Sequence, residues 1–146
     1  MRVCWVSGSS HFVFSDPEPF EWYYPYETFK EIINDCIAKE AKILIAGCGN
    51  SHFMEDMYDD GFFDITAMDV SRVVIDQVRT RCAKDYPEIK FINGNMSDSN
   101  MPGGSYDAII DKAMFDSILC GLKGDEAGQS VVKEVTLILA YIRYTK

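Results

Sequence analysis

The sequence predicts an α/β domain in which a mostly parallel sheet is covered by helices on both faces. Three observations predict it. Short apolar runs alternate with longer stretches whose apolar residues recur at helical spacing. The short runs, such as Ile43 to Ala46, are nearly unbroken in apolar character, as strands buried on both faces must be. Each run then ends on residues suited to turns or to chemistry: Gly47 after the first, Asp69 after the second, Asp111 after the fourth.

Residues 1–19 form an N-terminal arm without a regular pattern. Val3, Trp5, Phe12 and Phe14 suggest extended pieces, interrupted by Ser7 to Ser10 and by Asp16-Pro17-Glu18-Pro19. A helix is expected over Tyr26 to Lys39, with Phe29, Ile32, Ile33, Cys36 and Ile37 as its buried stripe. Lys42 to Ala46 reads as the first strand, and Gly47 to Asn50 punctuates it. A helix from Ser51 should turn Phe53, Met54, Met57 and Tyr58 inward and stop at Asp60-Gly61. Asp64 to Met68 is the second strand. Ser71 is placed to cap the next helix, which carries Val74, Val78 and Cys82 and ends before Pro87. Ile89 to Asn93 is a third strand, followed by a polar loop through Met101 to Gly104. Tyr106 to Ile110 is a fourth, and Met114 to Leu122 a short helix. A last helix is expected over Val131 to Leu139, leading to a candidate strand at Ala140 to Tyr144.

Composition bounds the function. The 146 residues suffice for one domain with a real core, and 47% of them are apolar. No run approaches the roughly 18 apolar residues of a membrane span, and the start lacks the pattern of a signal peptide. The five cysteines (Cys4, Cys36, Cys48, Cys82, Cys120) are scattered and odd in number, which points to a reduced, cytoplasmic setting. They make no zinc spacing with His11 and His52, so no metal is expected. The formal charge of −9 argues against non-specific binding to nucleic acid or anionic membrane, because the phosphate-neutralising charge is missing. It is compatible with a basic protein partner.

The first turn carries the strongest chemical signal. Gly47 and Gly49 let the backbone turn tightly and approach a ligand, and the helix after them aims free N–H groups at the same place. Asp69 lies 20 residues beyond Gly49, at the end of the next strand. In an open α/β sheet that brings a carboxylate beside the glycine turn, where it can accept hydrogens from both hydroxyls of a ribose. The plainer alternative is a tight turn whose glycines only permit the bend, with Asp69 capping the next helix. A dinucleotide fingerprint asks for a third glycine at position 52, where this chain has His52. A nucleotide-triphosphate loop would need Gly-Lys-Ser or Gly-Lys-Thr, also absent. A ligand with a ribose and no phosphates fits better, and S-adenosyl-L-methionine is one. His52 either touches that ligand or sits on the helix surface or against the sheet.

From Phe20 onward the chain resembles the class I S-adenosylmethionine-dependent methyltransferases, and within them the eukaryotic elongation-factor lysine methyltransferase-like group. The resemblance rests on Phe20-Glu21-Trp22-Tyr23, on Gly47-Cys48-Gly49-Asn50-Ser51, on Met68-Asp69-Val70-Ser71, on Ser105 to Lys112 and on Asp116-Ser117. It implies a Rossmann-like three-layer sandwich over residues 20–146. It also implies that Gly47, Cys48, Gly49 and Asn50 hold the methionine part, that Asp69 holds the ribose, and that Val70 and Ser71 lie beside the adenosine. Asn95, with Met96 next, stands where such enzymes commonly carry an acid for the adenine amine; its side-chain oxygen can still accept that hydrogen bond. Asp111 and Lys112 end the fourth strand on the ligand side. Trp22, either a contact of the methyl donor or a packing residue, belongs with Glu21 to an arm closing over it. Catalysis here is chiefly in-line placement in a dry pocket. Glu21, Asp111 and Lys112 are the candidates for aligning the nucleophile.

The chain also departs from the pattern. After the fourth strand the family runs into an Arg-Val-Leu-x-Pro-Gly-Gly turn and a fifth strand, then a hairpin of two more. Here Val131 to Leu139 passes directly to Ala140 to Tyr144, so the C-terminal strands are expected to be lacking. Ala113 follows Lys112 where the group usually has glycine. An open edge on the fourth strand would need cover, for which a homodimer is a candidate. Three readings follow: a methyltransferase acting on a protein lysine, with an elongation factor or a small molecule as acceptor and S-adenosyl-L-homocysteine as product; a catalytically inactive scaffold keeping the core; and a nicotinamide-dependent oxidoreductase.

Overall fold

The computed structural model of the chain describes residues 18–21, 23–121 and 124–139. The extended pieces expected within residues 3–14, Trp22 and the candidate strand at 140–144 lie outside the described residues. In chain order the elements are α1 (Tyr26–Cys36), β1 (Ile43–Ala46), α2 (Phe53–Asp59), β2 (Ile65–Asp69), α3 (Arg72–Cys82), β3 (Lys90–Asn93), a 3-10 turn (Met96–Asp98), β4 (Ala108–Asp111), α4 (Met114–Leu119) and α5 (Gly124–Ile138).

The four strands form one sheet in the order β3-β2-β1-β4, every pair parallel. Strand alternation sorts the core into two layers, since successive side chains point to opposite faces. Ile43, Ile45, Ile65 and Ala67 pack with Ile33 of α1, Phe53, Met54 and Met57 of α2, and Ile75 and Val78 of α3. Leu44, Ala46 and Met68 face the other way, against Met96, Phe115 and Ile118, and Val131 and Ile138 of α5. Ile43, Leu44, Met54, Met57, Phe62 and Ile65 are completely shielded from solvent, each contributing about 2 kcal/mol by its removal from water. The result is a three-layer sandwich of Rossmann type.

Local chemistry sets several boundaries. Ser71 caps α3, its Oγ accepting the Val74 amide at 3.4 Å, as expected. Helix α1 is shorter than its apolar pattern, ending at Cys36 where the Ile37 amide closes on the Ile33 carbonyl at 2.8 Å. Its stripe is narrower too: Ile33 is buried, whereas Ile32 is 65% exposed. Helix α5 starts seven residues before the expected Val131, at Gly124. Gly128 interrupts the apolar pattern there because α4 lies against it; a Cβ at that position would stand 2.7 Å from Leu119 Cδ2.

The register brings the strand ends level. Ala46 pairs with Met68 on one side and Asp111 on the other, and Asp69 with Asn93. The chain leaves β1 toward β2 and β3, then returns to place β4 on the opposite side of β1. Beyond the carboxyl ends of β1 and β4 lies the topological switch point, where open parallel sheets hold their ligands.

Candidate functional site

The turn after β1 is built by backbone geometry. Gly47 (φ +68°) and Gly49 (φ +56°) both occupy the left-handed region. A Cβ on Gly47 would meet the Cβ of Met114 at 2.5 Å, so the turn presses against the start of α4. A Cβ on Gly49 would meet nothing within 4 Å, leaving that backbone open to close approach. The Cys48 amide is tied to the Met68 carbonyl at 3.0 Å. Its side chain is buried in the core, and burial pushes its thiol well above the usual range, so Cys48 presents backbone to the crevice and keeps its proton.

Asp69 joins the two loops. One carboxylate oxygen accepts the Gly49 amide at 3.0 Å and the other the Ser71 amide at 2.8 Å. An ionised carboxylate offers about four acceptor positions, so capacity remains for ligand hydroxyls. Asn93, not anticipated as part of the site, braces this corner by donating from Nδ2 to the carbonyls of Asp69 (3.0 Å) and Val70 (2.9 Å). The Val70 side chain is 67% exposed at the rim.

Segment 18–24 crosses above the turn. Asn50, which is buried, donates from Nδ2 to the Glu18 carbonyl at 2.8 Å, and its Oδ1 accepts the Phe20 amide at 3.1 Å. Its side chain therefore holds the segment, not the crevice floor. Glu21 accepts from Ser51 Oγ (2.6 Å) and the His52 amide (2.9 Å) on Oε1, and from Lys112 Nζ (2.5 Å) on Oε2. Burial raises its carboxyl, but the bonds from Lys112, Ser51 and His52 outweigh that and hold it below the usual carboxylate range. Lys112 also reaches the Tyr24 carbonyl at 3.4 Å and lies 5.3 Å from the Phe53 ring centre. His52 stands at the head of α2, its ring half exposed and 3.2 Å from Glu55 Oε1.

Asp111 caps α4. Its carboxylate accepts the Met114 amide at 2.9 Å and the Phe115 amide at 3.0 Å. Burial pushes its pKa up, opposed by those two amides. Asn95 and Met96 lie past β3 on the far rim. The Asn95 oxygen accepts from the Ser97 amide (3.0 Å) and hydroxyl (2.8 Å), and Met96 is buried in the core.

The sequence reading missed what lies behind the turn. Arg81 of α3 makes two bonds to Glu55, at 2.6 and 3.0 Å, and donates to the carbonyls of Asn50 and Ser51, each at 2.8 Å. A signal existed: Glu55 is a carboxylate within the inward run Phe53, Met54, Met57, and a buried acid needs a partner.

The arrangement selects among ligands. In dinucleotide-binding sheets the helix after the glycine turn receives a pyrophosphate. Here the Glu21 carboxylate already takes the Ser51 hydroxyl and His52 amide at that helix end. A pyrophosphate would have to displace those bonds to reach the helix end, while the charge of Glu21 itself is paired with Lys112.

Residues 43–135 match the family model described as a methyltransferase domain. Among curated relatives, the eEF1A lysine and N-terminal methyltransferase of Bos taurus is 36% identical over 100 residues, covering 68% of this chain and 14% of its own length. The Danio rerio protein of the same name is 31% identical over 121 residues, or 83% of this chain and 17% of the relative. The EEF1A lysine methyltransferase 4 of Bos taurus is 30% identical over 107 residues, covering 73% and 42%. The chain thus spans less than half the length of these relatives. Of solved structures, a SAM-dependent methyltransferase from Methanosarcina mazei superposes with a TM-score of 0.64 at 20% identity, over 74% of this chain and 51% of that one. A Pyrococcus horikoshii protein gives 0.64 at 26% identity, over 77% and 50%.

Proposed function

Because the chain belongs to the methyltransferase-domain family, we propose that it binds S-adenosyl-L-methionine at the switch point and transfers its methyl group to a protein lysine. The observation that carries this reading is the Asp69 carboxylate, fixed by the Gly49 and Ser71 amides level with the end of β1. Bound there, S-adenosylmethionine supplies an electrophilic methyl on a sulfonium and leaves as S-adenosylhomocysteine.

The chain's residues bind and orient. The backbone of Gly47 to Asn50 takes the amino-acid end, Asp69 the ribose hydroxyls, Val70 and Ser71 the adenosine flank, and the backbone at Asn95 and Met96 the adenine edge. Glu21 and Lys112 belong to the cover that excludes water, and Asp111 fixes α4 beside it. Asp111, an exposed carboxylate at the end of β4, is the group we assign to meet the incoming amine. The names of the relatives support an elongation factor as acceptor. Four free thiols among the described residues support a cytoplasmic setting, and no helix among those residues is long and apolar enough to cross a membrane. A homodimer joined along β4 stays part of this reading; light scattering tests it.

Calorimetric titration of the full chain with S-adenosylmethionine and S-adenosylhomocysteine tests the donor site. We expect micromolar binding, weakened at least a hundredfold by Asp69→Ala, and weak or no binding of nicotinamide dinucleotides. Transfer of labelled methyl to translation elongation factor 1A tests the acceptor. Donor binding without transfer to any protein or small amine would favour the scaffold reading.

A further inference from the structure

Segment 18–24 is tied to both banks of the crevice. On the β1 bank Asn50 takes the Glu18 carbonyl and the Phe20 amide, and Glu21 takes Ser51 and His52. On the β4 bank Lys112 meets Glu21 and the Tyr24 carbonyl, and the Tyr23 hydroxyl donates to Asp116 of α4 at 2.8 Å. The Glu21 side chain joins the banks, Oε1 facing one and Oε2 the other, and the Lys112 ammonium that it meets also lies 5.3 Å from the Phe53 ring centre of α2.

The two sets of bonds differ in kind. Those on the β1 bank are several and converge on the buried Asn50 and Ser51. On the β4 bank the Tyr23–Asp116 bond is exposed to competing water. Lys112, its side chain 12% exposed, makes the charge-assisted contact. Opening therefore breaks the β4-bank contacts first and leaves the segment hinged at Asn50. Tyr23, at φ +64°, bends the backbone just past the latch residue Glu21.

We propose that the Glu21–Lys112 ion pair is the latch of a strap formed by residues 18–24, so that a nucleoside held in the crevice leaves at the rate at which this pair opens. Glu21 and Lys112 are then positioning residues and not a proton-transfer pair. This rests on the reading that the crevice holds S-adenosylmethionine.

The test uses the full chain and the variants Lys112→Met, Glu21→Gln and Lys112→Arg. Amide hydrogen exchange of the free protein is followed for peptides covering 18–24 and for β1. Stopped-flow measurement gives the dissociation rate of S-adenosylhomocysteine. Lys112→Met and Glu21→Gln should each speed exchange in 18–24 at least tenfold, with β1 unchanged, and speed dissociation at least tenfold. Lys112→Arg, which keeps the cation, should stay within about threefold of the parent in both. Unchanged exchange in 18–24 overturns the latch. Faster exchange with an unchanged dissociation rate overturns its control of release. If the parent binds no nucleoside, the donor reading and the release step fall together, while the exchange comparison still decides whether the pair closes the strap.

Discussion

Ala113 has a φ of +82°, in the left-handed region where a Cβ crowds the backbone. It is the residue that stands where the resembling group has glycine, so a one-residue departure visible in the sequence has a backbone cost. The conformation is imposed from both sides. Asp111 just before it caps Met114 and Phe115 just after it, and Lys112 is drawn toward Glu21. Ala113→Gly should relieve the crowding at the cost of a more flexible unfolded chain, for a net gain of about 0.5–1 kcal/mol. Urea unfolding with an unchanged slope measures it; equal or lower stability would mean the strain is absorbed elsewhere. Single residues also mark the limit of the sequence reading. That Asp69 closes the glycine turn was legible, because strand length and chain order fix where it stands. That the Asn50 amide holds segment 18–24, and that the Asn95 oxygen turns to Ser97, depend on contacts that no spacing encodes.

At the scale of elements, the strands and α3 were legible because their apolar patterns and the Ser71 cap are local signals. The start of α5 was not, since Gly128 reads as a breaker until α4 is packed on it. The same distinction applies to α2 and α3, whose joint at Arg81 and Glu55 unites segments 26 residues apart. Glu55 is 5% exposed and Arg81 26% at the side chain, so Arg81→Met strands a buried carboxylate and frees two turn carbonyls. We expect a loss of about 3 kcal/mol. Adding Glu55→Gln should recover about 1–2 kcal/mol, because the stranded charge is then gone. A double-mutant cycle by denaturant unfolding separates this from simple loss of packing, in which the two losses would add. Nucleoside affinity should remain low in the double variant, since the turn carbonyls still lack their donor.

At the scale of the molecule, the candidate site lies beyond the carboxyl ends of the strands, and side-chain joints hold the helices of one layer to each other. One such joint is Asp60, at the end of α2. Its carboxylate takes Lys30 (2.8 Å), Lys39 (2.7 Å), Tyr26 (2.8 Å) and Asn34 (2.9 Å), and so docks α1 and the chain after it. Hydrogen bonds from Lys30, Lys39, Asn34 and Tyr26 hold its carboxyl far below the usual carboxylate range. The sign of the linkage follows. Below about pH 4 the unfolded chain protonates this carboxyl while the folded protein resists, so the unfolded state binds more protons and stability falls as the pH is lowered. Above that pH the contribution of Asp60 is complete and flat. Asp60→Asn keeps one acceptor oxygen but loses the charge. It should lower stability at pH 7 and flatten the acid limb of a stability–pH curve between about pH 4 and 2. Parallel acid limbs in parent and variant would show that the carboxylates facing the crevice, and not this joint, set the acid sensitivity. Because α1 follows segment 18–24 directly, loosening it should also speed hydrogen exchange in that segment at neutral pH, linking this joint to the candidate site through one helix.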